Sequence, residues 1–245
     1  MNRFFVEPKQ IQGKTVWITG EDVKHIGKVL RLDSGDQVMV CDGTGLDYLC
    51  SIVSLDKDAI RLSILQSLAC KTEPQHKVTL YQGLPKAGKM ELLIQKCVEL
   101  GVWAIVPVYA QRSVVKLNSK EFESKLVRYQ RVAYEAAKQA RRGIIPQVAS
   151  LAASYQDVDM RKHDLLLIAD EDEQKTSLRE ALRMHGDAKD IALVIGPEGG
   201  LDRGEVAALQ KKGGLCVSLG PRIMRTETAG MAALSMLLYE LGDME

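Results

Sequence analysis

The chain has no apolar run approaching the ~20 residues that a membrane-spanning helix needs, and Met1 to Pro8 lack the long apolar segment of a secretory signal. A membrane protein and an exported one are set aside, and a cytoplasmic protein is expected. Cysteine is sparse and odd in number, because Cys41, Cys50, Cys70, Cys97 and Cys216 are widely spaced and never form a C-x-x-C pair. That pattern suggests neither a disulfide framework nor a zinc site, so buried reduced thiols and no metal are expected. Internal repeats and low-complexity tracts are also missing, which leaves no sign of disordered or fibrous character. What is there, 46% hydrophobic and 27% charged residues over 245 positions, is an ordinary globular composition with room for one large core or two small ones.

The formal net charge of +1 hides an asymmetry. Residues 1–72 carry 9 basic and 9 acidic residues, residues 73–150 carry 13 and 6, and residues 151–245 carry 11 and 17. The middle segment is electropositive, as a nucleic-acid footprint would be, although a solvated basic face gives the same count.

Short strands are expected over Arg3–Val6, Thr15–Ile18, Gln37–Cys41, Leu46–Leu55 and Ala59–Leu65, with a hairpin turn at Asp42-Gly43 and one helix over Glu21–Leu30. Such a run suggests a small β-barrel. Lys71 to His76 is polar and contains Pro74, which places a boundary between residues 1–73 and 74–245. Beyond it strands and helices alternate. Strands are expected at Val78–Gln82, Ala104–Val108, Leu165–Ala169, Ile191–Ile195 and Leu215–Ser218. Gly101 should end the first helix, and capping boxes should open others at Asn118/Glu121, Ser177/Glu180 and Asp202/Glu205. This is the pattern of an α/β domain with a mostly parallel sheet.

Two loops near the C-terminus stand apart. Ile195-Gly196-Pro197-Glu198-Gly199-Gly200 leaves a strand and leads to a helix at Asp202, bringing backbone amides and a positive helix end beside one carboxylate. Ser218-Leu219-Gly220-Pro221-Arg222-Ile223-Met224-Arg225-Thr226-Glu227-Thr228-Ala229 likewise joins a strand to the final helix. Each alone reads as a strand-to-helix turn in which glycine allows tight geometry and Thr226 or Glu227 caps the helix.

Together, G-P-E-G-G and L-G-x-R-I-x-R-T-E-T-A resemble the signature of the SPOUT methyltransferases, and specifically of the 16S ribosomal RNA uridine N3-methyltransferase family. His25-Ile26-Gly27-Lys28-Val29-Leu30-Arg31 with Gly35-Asp36, and Gln82 to Lys86 through Glu99 to Val102, extend the resemblance over the whole chain. It implies a PUA-like β-barrel that binds RNA, followed by a SPOUT domain with a deep C-terminal trefoil knot. It also implies S-adenosyl-L-methionine as methyl donor, held by Ala169, Gly196, Gly199, Leu219, Gly220, Ile223 and Met224. A homodimer is implied as well, acting on 16S rRNA within the small ribosomal subunit, and the long apolar final helix, Ala229–Leu241, is expected to be buried. Arg225 and Glu198 are the expected catalytic pair, with Arg222 and Glu227 as alternatives. Arg3, His25, Arg31, Arg131, Arg141 and Arg142 are the candidate RNA contacts.

Two rival readings rest on the same residues. Gly83 to Lys89 fits the phosphate-binding pattern G-x-x-x-x-G-K, but Met90 stands where a hydroxyl must meet Mg²⁺, and a thioether cannot do so. A non-catalytic RNA-binding module would account for the barrel and the basic stripe, while leaving Gly196, Glu198, Arg222, Arg225 and Glu227 without a purpose.

Overall fold

Alternating apolar residues in the first seventy positions fold into strands β1 (Arg3–Phe5), β2 (Ile11–Gln12), β3 (Thr15–Thr19), β4 (Gln37–Cys41), β5 (Leu46–Leu55) and β6 (Ala59–Ala69). They form one curled sheet in the order β1-β4-β5-β6-β3-β2, antiparallel except where β1 runs beside β4. Val16, Ile18, Val38, Val40, Ile52, Ile60 and Leu62 point inward at every second position and close a core with Phe4 and Ile26. The Asp42-Gly43 turn joins β4 and β5 as expected. Asp42 Oδ1 accepts from the Thr44 N–H at 2.8 Å and from its hydroxyl at 2.7 Å, while Gly43 takes a left-handed φ of 77°. Helix α1 (Glu21–Lys24) continues through a wider π-type turn, His25–Leu30, and Arg31 ends it with a φ of 52°.

The computed structural model describes all residues except Ala87, Lys116, Asn118 and Glu245. The chain divides into two compact units, residues 1–73 with 137–145, and residues 74–136 with 146–245. The first unit therefore takes back a segment far along the chain, held through side chains that no local pattern marks. Arg142 is 2% exposed and donates to Glu73 through Nη2 at 2.5 Å and Nε at 3.2 Å, while the same carboxylate accepts from the Gly143 N–H at 2.7 Å.

In the second unit β7 (Lys77–Gly83), β8 (Ala104–Val108), β9 (Gln147–Val148), β10 (Leu165–Ala169), β11 (Asp190–Ile195) and β12 (Leu215–Val217) form a sheet in the order β12-β10-β11-β7-β8-β9. Every pairing in it is parallel. Leu80, Leu193, Val194, Leu167 and Ile168 are buried, giving the near-continuous apolar strands of a sheet covered on both faces. The helices are α2 (Lys89–Leu100), α3 (Ser119–Gln139), α4 (Leu178–Met184), α5 (Arg203–Lys211) and α6 (Thr226–Glu240). Capping boxes open α4 at Ser177/Glu180 and α5 at Asp202/Glu205, and Gly101 ends α2 with a φ of 110°. The expected Asn118 cap lies outside the described residues. Helix α3 is ended by Arg141 in the left-handed conformation, with the Arg142 N–H bonded to the Ala137 carbonyl at 2.9 Å. Gly143 is required for another reason, since a Cβ there would meet Cys70 Sγ at 2.5 Å. All five cysteines are free, four of them buried and Cys70 half-buried.

Candidate active site

In an open parallel sheet the carboxyl ends of the strands gather loops around a crevice, and in the second unit the loops after β10, β11 and β12 do so. They enclose a cleft of about 320 Å³, near the lower end of the range for small-molecule sites. Its walls include Ala169 at the end of β10, Gly196 to Glu198 and Gly200 after β11, and Leu219 to Gly220 and Arg222 to Thr226 leading into α6. Of the positions expected to hold the cofactor, six line this cleft: Ala169, Gly196, Leu219, Gly220, Ile223 and Met224. Gly199 does not. It faces Arg112, whose Nη1 donates to the Gly199 carbonyl at 3.3 Å, and its neighbour Gly200 supplies the lining in its place.

The loop after β11 is held from several sides. Tyr155 is fully buried, and its hydroxyl donates to the Ile195 carbonyl at 2.8 Å. Gly83, at the end of β7, lies so close that a Cβ there would meet Pro197 N at 2.6 Å, so only glycine fits between these two backbones. Beneath the loop runs a buried chain of hydrogen bonds. Gln82 Nε2 donates to Thr226 Oγ1 at 2.8 Å, and the Thr226 hydroxyl donates to the Gly196 carbonyl at 2.5 Å. Three elements of the wall, the end of β7, the glycine-rich turn and the start of α6, are thus tied through two side chains.

The ionisable groups divide into committed and uncommitted ones. Asp170 is buried beside the cleft. Burial works against its charge, but two 2.8 Å bonds from Arg203 and one from the Asp172 N–H outweigh it and hold the carboxyl below the usual range. Glu198 lines the cleft with a side chain 21% exposed. Desolvation pushes its pKa up, yet the Lys86 N–H at 2.9 Å and the charge of Lys89 prevail and lower it. The carboxylate is thereby held as the anion. Arg222 and Arg225 are exposed at the cleft, and among the described residues neither has an acidic partner. Arg225 stands at the N-cap of α6 without capping it through its side chain.

The candidate RNA contacts separate in the same way. Arg3 is taken up by Asp47, with bonds of 2.5 and 3.1 Å and both side chains 11% exposed. Arg142 is taken up by Glu73. Both guanidiniums are held in largely buried ion pairs, and a desolvated guanidinium already paired to a carboxylate has little left to offer a phosphate. His25, Arg31, Arg131 and Arg141 are exposed. The phosphate-loop reading of Gly83 to Lys89 is not supported either. Lys89 points to Glu198 and Glu227, so its charge is neutralised within the protein.

A parallel α/β sheet with a loop-built cleft at its carboxyl end, joined to a small curled β-sheet unit, is the frame of a group-transfer enzyme with an added recognition unit. The chain belongs to the RNA methyltransferase family: the RNA methyltransferase domain matches residues 71–238, and the RNA methyltransferase PUA domain matches residues 18–65. Within that class its likenesses are particular. It is 37% identical to the ribosomal RNA small subunit methyltransferase E of Bacillus subtilis, over 98% of this chain and 97% of that one. It is 33% identical to the protein of the same name from Synechocystis, over 96% and 76% of the two chains. Its fold matches a crystal structure of ribosomal RNA small subunit methyltransferase E from Neisseria gonorrhoeae bound to S-adenosyl methionine, with a TM-score of 0.81, 28% identity and coverage of 98% and 97%.

Proposed function

We propose that this protein transfers a methyl group from S-adenosyl-L-methionine to N3 of a uridine in 16S ribosomal RNA, acting in the cytoplasm on the small ribosomal subunit. The observation that carries the reading is the cleft at the carboxyl ends of β10, β11 and β12. The signature loops G-P-E-G-G and L-G-P-R-I-M-R-T both line it, and a full-length structural relative is bound to the same methyl donor. The lining suits that donor, since Ala169, Gly196, Leu219 and Gly220 bring small or apolar side chains and backbone to the cleft and much of the wall is apolar. When bound, S-adenosyl-L-methionine supplies an electrophilic methyl group on a sulfonium. In this reading the segment after β12 forms part of a trefoil knot, as the resemblance of the two signature loops implies.

Methylation at N3 requires loss of the N3 proton, which leaves negative charge on the uracil oxygens. Arg225, exposed in the cleft lining and without an acidic partner among the described residues, stabilises that charge, with Arg222 beside it, and the proton passes to solvent. Glu198, held as the anion, orients the base or the loop and does not take the proton. His25, Arg31, Arg131 and Arg141 remain as phosphate contacts, which position the RNA without reading its sequence. The protein acts as a homodimer, the outer face of α6 forming part of the contact. Met236 is 39% and Tyr239 62% exposed on that face, beside a groove lined by Leu178 and Leu182. Incubation with methyl-labelled S-adenosyl-L-methionine and small subunits from a strain lacking the modification should place label in 16S RNA. Label confined to protein, or absent, would defeat the proposal, and a monomeric mass by light scattering at micromolar concentration would defeat the dimer.

A further inference from the structure

Glu198 belongs to a charge cluster at the edge of the cleft whose lysine the reading above leaves without a purpose. Lys89 Nζ stands 3.2 Å from Glu227 Oε2 and 3.5 Å from Glu198 Oε1, and the three side chains are 26%, 12% and 21% exposed. Each comes from a different element: Lys89 from the first turn of α2, Glu198 from the loop after β11, and Glu227 from the first turn of α6. Glu227 Oε2 is buried and makes no well-directed hydrogen bond, so among the described residues the Lys89 ammonium is what balances it. Glu198 has the Lys86 N–H as well.

The position of Lys89 is itself informative. A cation in the first turn of a helix faces the positive end of the helix dipole, which disfavours it. The chain nevertheless places a lysine there, directly after Gly88, whose φ of 82° turns the backbone into α2. An ammonium tolerated against the dipole is explained by the two anions it meets. Without it, the Glu198 and Glu227 carboxylates, which lie 3.5 and 3.2 Å from its nitrogen, would have no cation between them, the second more than four-fifths buried, and like charges so placed repel in a poorly solvated place.

We propose that Lys89 is a positioning residue for the methyl-donor site: its ammonium clamps the Gly196–Gly200 turn to the start of α6 by neutralising Glu198 and Glu227, and so holds the cleft in the shape that receives S-adenosyl-L-methionine. This inference rests on the reading of the cleft as the site of that donor. Lys89 touches neither substrate and acts through the two carboxylates.

The test is calorimetric titration of S-adenosyl-L-methionine into the full-length wild type and into Lys89→Met, Lys89→Arg, Glu227→Gln and the double variant Lys89→Met/Glu227→Gln, each with a urea unfolding curve. Lys89→Met should weaken binding by about tenfold or more, in line with loss of a charge-assisted contact. Lys89→Arg should stay close to wild type. The double variant should recover most of the loss, because removing one anion relieves the repulsion left when the ammonium is gone, and it also keeps the test alive if the single variant folds poorly. Wild-type affinity in Lys89→Met overturns the proposal. So does a double variant as weak as the single one, which would assign the effect to the lysine stem and not to its charge. A wild type that takes up no S-adenosyl-L-methionine would instead overturn the reading of the cleft.

Discussion

Replacing Thr226 with Val preserves the shape of a buried side chain and removes only its hydroxyl, which makes it a sharp probe of how the cleft is held together. The hydroxyl donates to the Gly196 carbonyl at 2.5 Å and accepts from Gln82 Nε2 at 2.8 Å. Gln82 is fully buried, and its Oε1 already has no partner, so it has little means of compensation. A buried polar group left unpaired costs roughly 1–3 kcal/mol. With a donor and an acceptor both stranded, and the new methyl gaining part of that back, the net loss should be about 3 kcal/mol. For a unit of this size that corresponds to a fall in Tm of roughly 6–12 °C. Thr226→Ser keeps the hydroxyl and loses one methyl, for about 1 kcal/mol. Thermal melts of the three proteins, with donor titrations alongside, give the ordering wild type, Ser, Val. A Val variant as stable as wild type, or less damaged than the Ser variant, would refute the claim that the hydrogen-bond chain holds the turn.

Other consequences follow from the same geometry. Arg225→Ala should lower single-turnover methylation on the order of 10²-fold while leaving donor affinity nearly unchanged, because the guanidinium has no acidic partner among the described residues and is reserved for charge that appears in the reaction. Arg142→Met should destabilise the first unit by about 3 kcal/mol in urea, since it strands the Glu73 carboxylate, whereas Arg142→Met with Glu73→Gln should lose much less. Asp170 and Glu198 both have lowered pKa values, so their ion pairs contribute fully above the ordinary carboxylate range and are lost as pH falls through the lowered values. Donor binding followed by calorimetry should therefore be level from neutral pH down to about 5 and fall below about 4. A decline that set in near pH 6 would point to histidine instead.

What could be read in the sequence was whatever depends on neighbours along the chain. The capping boxes at Ser177/Glu180 and Asp202/Glu205, the Gly101 stop and the strands Gln37–Cys41, Ala104–Val108 and Leu165–Ala169 are set by local backbone chemistry, and they appear as written. Strand β6 runs on to Ala69 because it pairs with Leu46 at the far end of β5, a partner that its own alternation does not reveal. Arg142 reads in the sequence as one more candidate RNA contact, beside Arg131 and Arg141 in the electropositive middle segment. Its fate was decided by Glu73, which is distant in sequence, and by Arg141 taking the left-handed turn one residue earlier. The same applies at the cleft. The glycines and arginines of the two signature loops were visible, but Tyr155 would pass for a core residue, and Gln82 and Lys89, though they fall in motifs, carry no local sign that their partners lie in those loops. Gly83 is an intermediate case: its backbone contact with Pro197 is long-range, yet a glycine at the end of a buried strand already hints at close approach.

Identifying the modified nucleoside tests the proposed chemistry most directly. Small subunits from a strain lacking the modification would be incubated with the protein and S-adenosyl-L-methionine, their RNA digested, and the nucleosides separated by liquid chromatography and mass spectrometry against synthetic standards. New N3-methyluridine should appear in 16S RNA, and much less of it when Arg225→Ala replaces the wild type. A methyl group found on a ribose hydroxyl, on uracil C5 or on another base, with no N3-methyluridine, would contradict the proposal.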